Sequence, residues 1–142
     1  MFACLAIALL LATAPAAAGP SVNAQAPVSN FRLPTFTEEG HRSMLIQGAQ
    51  ALVGADAIEL SNLNLTLFDG SARDTVETII LSPQATAELE AGLIRGPGLV
   101  RVLRDDLEIT GTNWAYDHNQ KKISIAAHAR ITFQAQLPDI LK

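Results

Sequence analysis

Apolar and polar residues alternate near the end of the chain with the two-residue period of a β-strand. Between residues 123 and 135 every odd-numbered position is apolar, and the positions between them are mostly polar. A second run of this kind contains Leu63, Leu65 and Leu67, which alternate with Asn and Thr. This period predicts two strands that each bury one face.

Ile58 and Leu60 precede the three leucines but have the opposite parity. An extra residue in one strand of a pair shifts the side-chain alternation. We therefore predict a β-bulge near Ser61 or Asn62, which would keep both apolar sets on one face of the sheet.

Further strands are predicted where β-branched and apolar residues lie between turn signals. These strands cover residues 43–48, 75–81, 99–103 and 107–109. The turns that separate strands are predicted at Asp69-Gly70, at Asp105-Asp106 and over residues 117–121.

The segment from Ser82 to Glu90 is ambiguous. Ser82 could cap a helix that begins at Pro83, and glutamates follow in its early turns. We expect a short helical turn or a loop here, which ends the preceding strand at Ser82-Pro83. The alternative is a strand that continues to Leu89.

Strands joined by short turns, with no helical pattern of normal length, indicate an all-β fold. The expected architecture is an antiparallel sandwich, a jelly roll or an open barrel. A chain of 142 residues has the usual length of one domain, so a second core is not expected.

The N-terminal segment has the features of an export signal. Arg32 is the first charged side chain, and an apolar stretch from residue 2 to residue 14 leads to small residues at 16–18. We predict a signal peptide over residues 1–18, although no basic residue lies near its start. The alternative is a retained membrane anchor. Residues 19–30 are expected to form a flexible lead-in, and residues 31–142 the β-domain.

Composition and charge exclude several functions. The formal net charge is −4 and aromatic residues make up 5% of the chain, so neither a basic patch nor a stacking surface for nucleic acid is expected. Cys4 is the only cysteine, and it would leave with the signal peptide. The mature domain is therefore expected to contain no disulfide.

No arrangement of residues indicates an enzyme or a cofactor. His41, His118 and His128 lie in unrelated sequence contexts, without a nucleophile motif. Adjacent residues of a strand point to opposite faces, so Asp105 and Asp106 cannot share a proton. Calcium is not expected at residues 117–121, because the later glycine and glutamate of a calcium loop are missing. We expect no enzymatic activity, no metal and no cofactor.

The order of several short segments resembles a known family. The segments are residues 31–36, Gly40, 46–51, 82–85, 96–98, 100–102, 106–111, 114–117, 122–125 and 130–133. They resemble the recurring unit of the periplasmic lipopolysaccharide-transport proteins of Gram-negative bacteria, the LptA/LptC (OstA-like) group. The cleavable leader is similar to the LptA type, whereas the length of a single module is similar to the LptC type.

The resemblance implies a twisted β-jelly roll that stays open along one side, shields lipid acyl chains between its sheets and joins similar modules edge to edge. The implied partners are lipopolysaccharide, related β-jelly-roll proteins and an inner-membrane export complex, and the implied location is the periplasm. The last strand is the expected edge. The expected lipid-contacting set consists of the inward apolar positions, namely Leu63, Leu65, Leu67, Ile79, Val100, Val102, Ile109, Ile123, Ile125, Ile131 and Phe133. The alternative function is a structural or protein-interaction module of the cell envelope that binds no lipid.

Overall fold

The computed structural model describes residues 25–133, and within this range the chain forms a single antiparallel sheet of seven strands. Neighbours in the sheet are also neighbours in sequence, so β1 and β7 form its two edges. The strands are β1 (Ala26–Phe36), β2 (Arg42–Val53), β3 (Ile58–Phe68), β4 (Val76–Glu88), β5 (Leu93–Arg104), β6 (Leu107–Asp117) and β7 (Lys122–Phe133). The predicted all-β, open antiparallel fold is confirmed, as is the prediction that the last strand is an edge.

Most strands bend near their middle, at residues with unusual backbone conformations. Asn30, Asn62, Asn113 and His128 have φ angles of 53°, 54°, 54° and 54°. Asn and His are among the non-glycine residues that enter this left-handed region most readily. The bend divides the sheet into two leaves, whose buried side chains belong to one core.

The bend shifts the side-chain alternation within a strand. In β3, Ile58 and Leu60 are buried before Asn62, whereas Leu63 and Leu65 are buried after it. The predicted change of face at residues 61–62 is confirmed, but the predicted bulge is wrong, because the register of β3 with β2 and β4 is the same on both sides of Asn62. The left-handed backbone of Asn62 changes the face without an extra residue. Without this shift one of the two apolar sets would face solvent.

Several predicted boundaries are wrong because bends resemble strand ends in the sequence. β2 continues past Gly48 to Val53, β5 begins at Leu93 and not at Leu99, and β6 continues past Ile109 to Asp117. The expected helical turn or loop at residues 82–90 is a continuation of β4 to Glu88, and pairing with β5 is interrupted between Leu81 and Thr86. Pro83 lies in this interruption, where a missing N–H breaks no ladder hydrogen bond. The predicted lead-in over residues 19–30 is wrong for residues 26–30, which belong to β1. Residues 19–24 lie outside the described residues.

The turns agree better with the sequence. Asp105-Asp106 joins β5 to β6 as predicted, and Asp105 has a φ of 48°. In the β6–β7 turn the Asp117 carboxylate accepts backbone N–H bonds from Asn119, at 2.9 Å, and Gln120, at 3.2 Å. This carboxylate therefore stabilises the turn. The predicted signal peptide, the residues from 134 onward and Cys4 lie outside the described residues.

Candidate functional site

One continuous row of aliphatic side chains crosses all seven strands. The pairing register aligns Leu33, Ile46, Leu65, Ile80, Val102, Ile109 and Ile131. We call the half of the sheet that contains this row leaf 1. Because the aligned positions are all Leu, Ile or Val, the inner face of leaf 1 offers one apolar track from edge to edge.

Solvent exposure changes steeply along this track. Ile46, Leu65 and Ile80 are 0% exposed, whereas Ile131 on the edge strand is 57% exposed. Phe133, two residues further along the same face of β7, is 77% exposed. Since isolated domains bury most of their large apolar side chains, these two residues mark an opening of the core at the β7 edge.

A second row crosses the other half of the sheet, which we call leaf 2. It aligns Ala26, Val53, Ile58, Ala87, Ile94, Tyr116 and Ile123. Here Ala26 on β1 is exposed, the central residues are buried and Ile123 on β7 is half-buried. Exposure therefore rises toward β7 in leaf 1 and toward β1 in leaf 2. Leaf 1 is open at β7 and leaf 2 is open at β1.

The predicted lipid-contacting residues fall into four groups. Five are buried in the core: Leu63, Leu65, Leu67, Val100 and Val102. Three are half-buried beside it: Ile109, Ile123 and Ile125. Two are exposed at the β7 opening: Ile131 and Phe133. Ile79 pairs with Thr66 and Leu103, on the face opposite to the row that contains Ile80.

The placement of Ile79 on the inner face is therefore wrong, and the inner residue is Ile80. The run of apolar residues at 79–81 contains no alternation that could distinguish the two faces. Leu33, Ile46 and Trp114 also belong to the inner side and were missed. Only the pairing register aligns these three residues with the inner positions of the neighbouring strands.

A buried polar group fixes the bend where β4, β5 and β6 meet. The Trp114 indole Nε1–H donates to Ser82 Oγ at 3.2 Å, and the Ser82 hydroxyl donates to the Leu99 carbonyl at 2.7 Å. Both side chains are buried. Ser82 therefore provides a hydrogen-bond partner for the buried indole N–H and for the Leu99 carbonyl, at the point where the pairing of β4 with β5 is interrupted.

Replacing Ser82 with alanine is expected to lower the free energy of unfolding by about 1–3 kcal/mol, because the Trp114 N–H and the Leu99 carbonyl lose their partner. The measurement is urea unfolding of the wild type and the variant. Ser71→Ala is the control, because Ser71 bonds only to groups in an exposed turn. Equal unfolding midpoints for the Ser82 and Ser71 variants would contradict this role.

Polar residues line the place where the ends of the strands in leaf 1, near Leu67 and Thr78, meet the ends of those in leaf 2, near Tyr116 and Ile123. We call these ends the leaf tips. A small cavity of about 70 Å³ lies between Leu67 and Thr78 of leaf 1 and Tyr116 and Ile123 of leaf 2. The Tyr116 hydroxyl is 3.0 Å from His118 Nδ1. Burial, followed by the negative charges of Glu77 and Asp117, raises the pKa of Tyr116 to about 12. Burial is also the main cause that lowers the pKa of His118.

Tyr116 provides a direct spectroscopic test of this packing, because it is the only tyrosine of the chain. We expect its phenolate absorbance to appear with a midpoint near pH 12 in the folded protein. The unfolded protein should titrate near the usual value of about 10. Since the folded state holds this proton more tightly, stability should fall as pH rises above 10. A folded-state midpoint near 10 would show that the leaf tips do not enclose the ring.

The lowered pKa of His118 has the opposite consequence for acid. As the pH falls, His118 takes up a proton in the unfolded state before it does so in the folded state. Its contribution to the free energy of unfolding should therefore be fully present above about pH 6.5 and decrease below it. Urea unfolding between pH 8 and pH 5 measures this slope, and His118→Asn should make it shallower. An unchanged slope in the variant would assign the acid sensitivity to other groups.

The outer face of the sheet carries charged side chains, whereas the inner rows are apolar. Three ion pairs cross between its central strands: Arg95–Glu88 at 2.8 Å, Arg101–Glu108 at 2.9 Å and Arg104–Glu77 at 3.0 Å. Such exposed pairs contribute little to stability.

Two larger grooves follow the bend. One, of about 740 Å³, is lined by residues that include Pro27, Leu60 and Ala85, and the other, of about 670 Å³, by residues that include Leu63 and Leu99. Their walls mix amide, hydroxyl and apolar groups. Across residues 25–133 no three His, Cys, Asp or Glu side chains are placed to hold a metal ion. Within the same range no helix has the length and apolar character to cross a membrane.

Comparison with known proteins gives a similarity of fold and none of sequence. No protein-family model matches the sequence, and no curated protein matches it. Among solved structures, the fold is similar to that of LptH from Pseudomonas aeruginosa, described as the LptA-homologous periplasmic component of the conserved lipopolysaccharide transport device. The match has a TM-score of 0.55 and 9% sequence identity, and covers 82% of this chain and 100% of LptH. The chain therefore has an LptA-like open β-jelly-roll fold.

Proposed function

We propose that this protein is a periplasmic lipopolysaccharide-binding and transport component, which shields acyl chains on the inner face of its sheet. The observation that carries the proposal is the aliphatic row of leaf 1, which is dry in its centre and open to solvent at Ile131. The similarity to the fold of LptH supports the same proposal.

Burial of apolar surface supplies enough free energy for this function without catalytic residues. Each methylene group moved from water into an apolar environment gains about 0.8 kcal/mol. The opening at β7 offers Ile131, Phe133 and the half-buried Ile109 as first contacts. An acyl chain would reach the buried residues of the set only if the leaves separate. These residues are Leu63, Leu65, Leu67, Val100 and Val102.

The two edge strands differ in their capacity to pair with a further strand. β7 contains neither proline nor glycine over its twelve residues, whereas β1 contains Pro27 and Pro34. An exposed edge without proline accepts an added strand, and prolines blunt an edge. β7 is therefore the edge that we propose joins another β-jelly-roll module of the transport machinery.

The fate of the N-terminal segment determines whether the module is attached to the inner membrane. We propose that residues 1–18 direct export and are removed, which gives a free periplasmic protein of the LptA type. If they are retained as an anchor, the single module corresponds to the LptC type, beside an inner-membrane export complex. The intact mass of the exported protein distinguishes the two forms.

The proposed function is tested by a photo-reactive amino acid placed at Phe133 or Ile131 in living Gram-negative cells. Crosslinks to lipopolysaccharide are expected from both positions, because both lie on the inner face at the opening. Thr132 is the matched control, since it is exposed on the same strand but belongs to the opposite face. Equal lipid capture from Thr132 and Phe133, or none from either, would reject the proposal.

The dry centre of the core favours a second candidate, a structural module of the envelope that binds protein alone. Ile46, Leu65 and Ile80 already fill the space between the leaves. In that case the same crosslinkers would capture protein through β7 and no lipid.

A further inference from the structure

We propose that the outer face of leaf 1 docks on an anionic phospholipid surface. This face lies on the opposite side of the sheet from the aliphatic row, so the proposal does not depend on lipopolysaccharide binding. The face combines apolar side chains that the inner core does not use with arginines on widely separated strands.

Ile79 belongs to an outer row that is largely apolar. The pairing register aligns Pro34, Leu45, Thr66, Ile79, Leu103, Glu108 and Thr132. Leu45 is 7% exposed and Phe68 is 8% exposed, yet neither residue belongs to the inner core cluster. The outer face of leaf 1 therefore has a small apolar cluster of its own.

Three large apolar side chains remain exposed on the same face. Leu99 is 65% exposed, Phe36 58% and Val76 48%. Phe36 pairs with Arg42 and Val76 with Phe68, and the Arg42 guanidinium lies 5.9 Å from the centroid of the Phe68 ring. Exposed apolar residues next to a half-covered apolar cluster indicate a surface that contacts a partner or a membrane.

The groove of about 670 Å³ extends this surface toward the bend, and Leu81, Leu99 and Arg101 line it. Leu81 and Arg101 lie in a second outer row. This row consists of Arg32, Gln47, Asn64, Leu81, Arg101, Thr110 and Arg130. The groove therefore places apolar side chains beside a positive charge, the combination that binds at the interface of an anionic bilayer.

The charge of this face is opposite in sign to that of the whole chain, which has a formal net charge of −4. The two outer rows of leaf 1 contain three arginines and one acid, Glu108, which forms an ion pair with Arg101 at 2.9 Å. The charged residues at the paired outer positions of leaf 2 are Glu59, Glu88, Arg95, Asp117 and Lys122. Leaf 1 therefore attracts an anionic partner, whereas leaf 2 does not.

The spacing of the arginines favours a lipid surface over a peptide. Arg32, Arg101 and Arg130 lie on β1, β5 and β7, and their row spans about 29 Å because neighbouring strands are about 4.8 Å apart. A peptide would need acidic residues at both matching separations, whereas a bilayer of anionic lipids presents negative charge at every point. The arginines would contact the headgroups, while Leu99 and Phe36 enter the interfacial layer.

Vesicle co-sedimentation of the full chain tests the proposal. The vesicles consist of equal parts of phosphatidylglycerol and phosphatidylcholine, or of phosphatidylcholine alone, in a buffer of low ionic strength. We expect binding to the anionic vesicles to be tighter by roughly tenfold or more, and added salt should remove this difference because it screens the arginines. Equal binding to both kinds of vesicle would overturn the proposal. Binding to neither would also overturn it, and would leave an acidic protein segment as the occupant of this face.

Two variants with the same change in net charge locate the contact. Arg32→Glu/Arg130→Glu should weaken binding to the anionic vesicles by roughly tenfold or more. Arg95→Glu/Lys122→Glu, on the outer face of leaf 2, should weaken it far less. The N-terminal segment is identical in all variants, so it cannot cause a difference between them. Equal weakening by the two variants would assign the binding to net charge and overturn the proposed face.

The Phe133→Asp variant separates this contact from the proposed function. It places a charge at the β7 opening, away from the outer face, and should bind the anionic vesicles like the wild type. Loss of vesicle binding in this variant would show that vesicle lipid enters the opening, which would overturn the outer-face contact but not the proposed function. Normal vesicle binding by a chain that captures no lipopolysaccharide would have the reverse meaning.

Discussion

Replacing Trp114 with alanine is expected to lower the free energy of unfolding by about 3–5 kcal/mol, the usual range for removal of a large buried aromatic side chain. The indole is 2% exposed, and its N–H bonds to Ser82 at the bend. The substitution therefore removes core volume and frees a buried polar group in the same place. Urea unfolding monitored by far-UV circular dichroism measures the loss.

The Trp114→Phe variant separates the two contributions. Phenylalanine keeps most of the apolar volume but cannot donate to Ser82, whose hydroxyl still bonds to the Leu99 carbonyl. We expect this variant to lose less than half as much stability as Trp114→Ala. If both variants unfolded at the wild-type midpoint, the proposed structure of the bend would be wrong.

Replacing Gly96 with alanine is expected to cost about 2–3 kcal/mol, near the upper end of the range for overpacking. A Cβ at this position would lie 2.7 Å from Trp114 Nε1 and would press on the Gln84 carbonyl. The backbone of β4 and the indole would both have to move. Thermal unfolding provides the measurement.

Gly98 is a control only two residues away. A Cβ there meets nothing within 4 Å, and its φ is not positive. Gly98→Ala should therefore leave stability unchanged or raise it by about 0.4–1 kcal/mol, because alanine restricts the unfolded chain. Equal destabilisation by the two substitutions would show that the close approach of β5 to Trp114 is not real.

The sequence predicted the features that depend on local periodicity. Alternation placed Leu63, Leu65 and Leu67 on one face of β3, and the change of parity before them located the change of face at residues 61–62. It did not show that a left-handed residue, and not an extra one, causes the change. The same period described β7 from Lys122 onward. These are properties of neighbouring positions, which a single strand determines by itself.

Features that depend on contacts between distant strands could not be predicted. Pro83 resembles a strand end, and only pairing on both of its sides shows that β4 continues through it. Ile79 and Ile80 are equally apolar, so only the register with Leu65 selects Ile80 for the inner row. The exposure of Phe133 follows from the position of β7 at the sheet edge, which no local pattern encodes.

The sheet has ion pairs on its outer face, a buried apolar centre and an apolar opening at one edge. The proposed function rests on this opening, because a closed core would have covered Ile131 and Phe133. Thr132 lies between Ile131 and Phe133 but on the opposite face of β7. Substitutions at Thr132 and Phe133 can therefore distinguish the opening from the outer face of the same strand.

The most direct test of the account is native mass spectrometry of the full chain with purified lipid A. One lipid adduct per chain is expected for the wild type and for Thr132→Asp, and a strong reduction is expected for Phe133→Asp, which places a charge at the opening. Absence of an adduct with the wild type, or equal adducts with both variants, would contradict the proposal that the apolar row of leaf 1 receives acyl chains through the β7 edge.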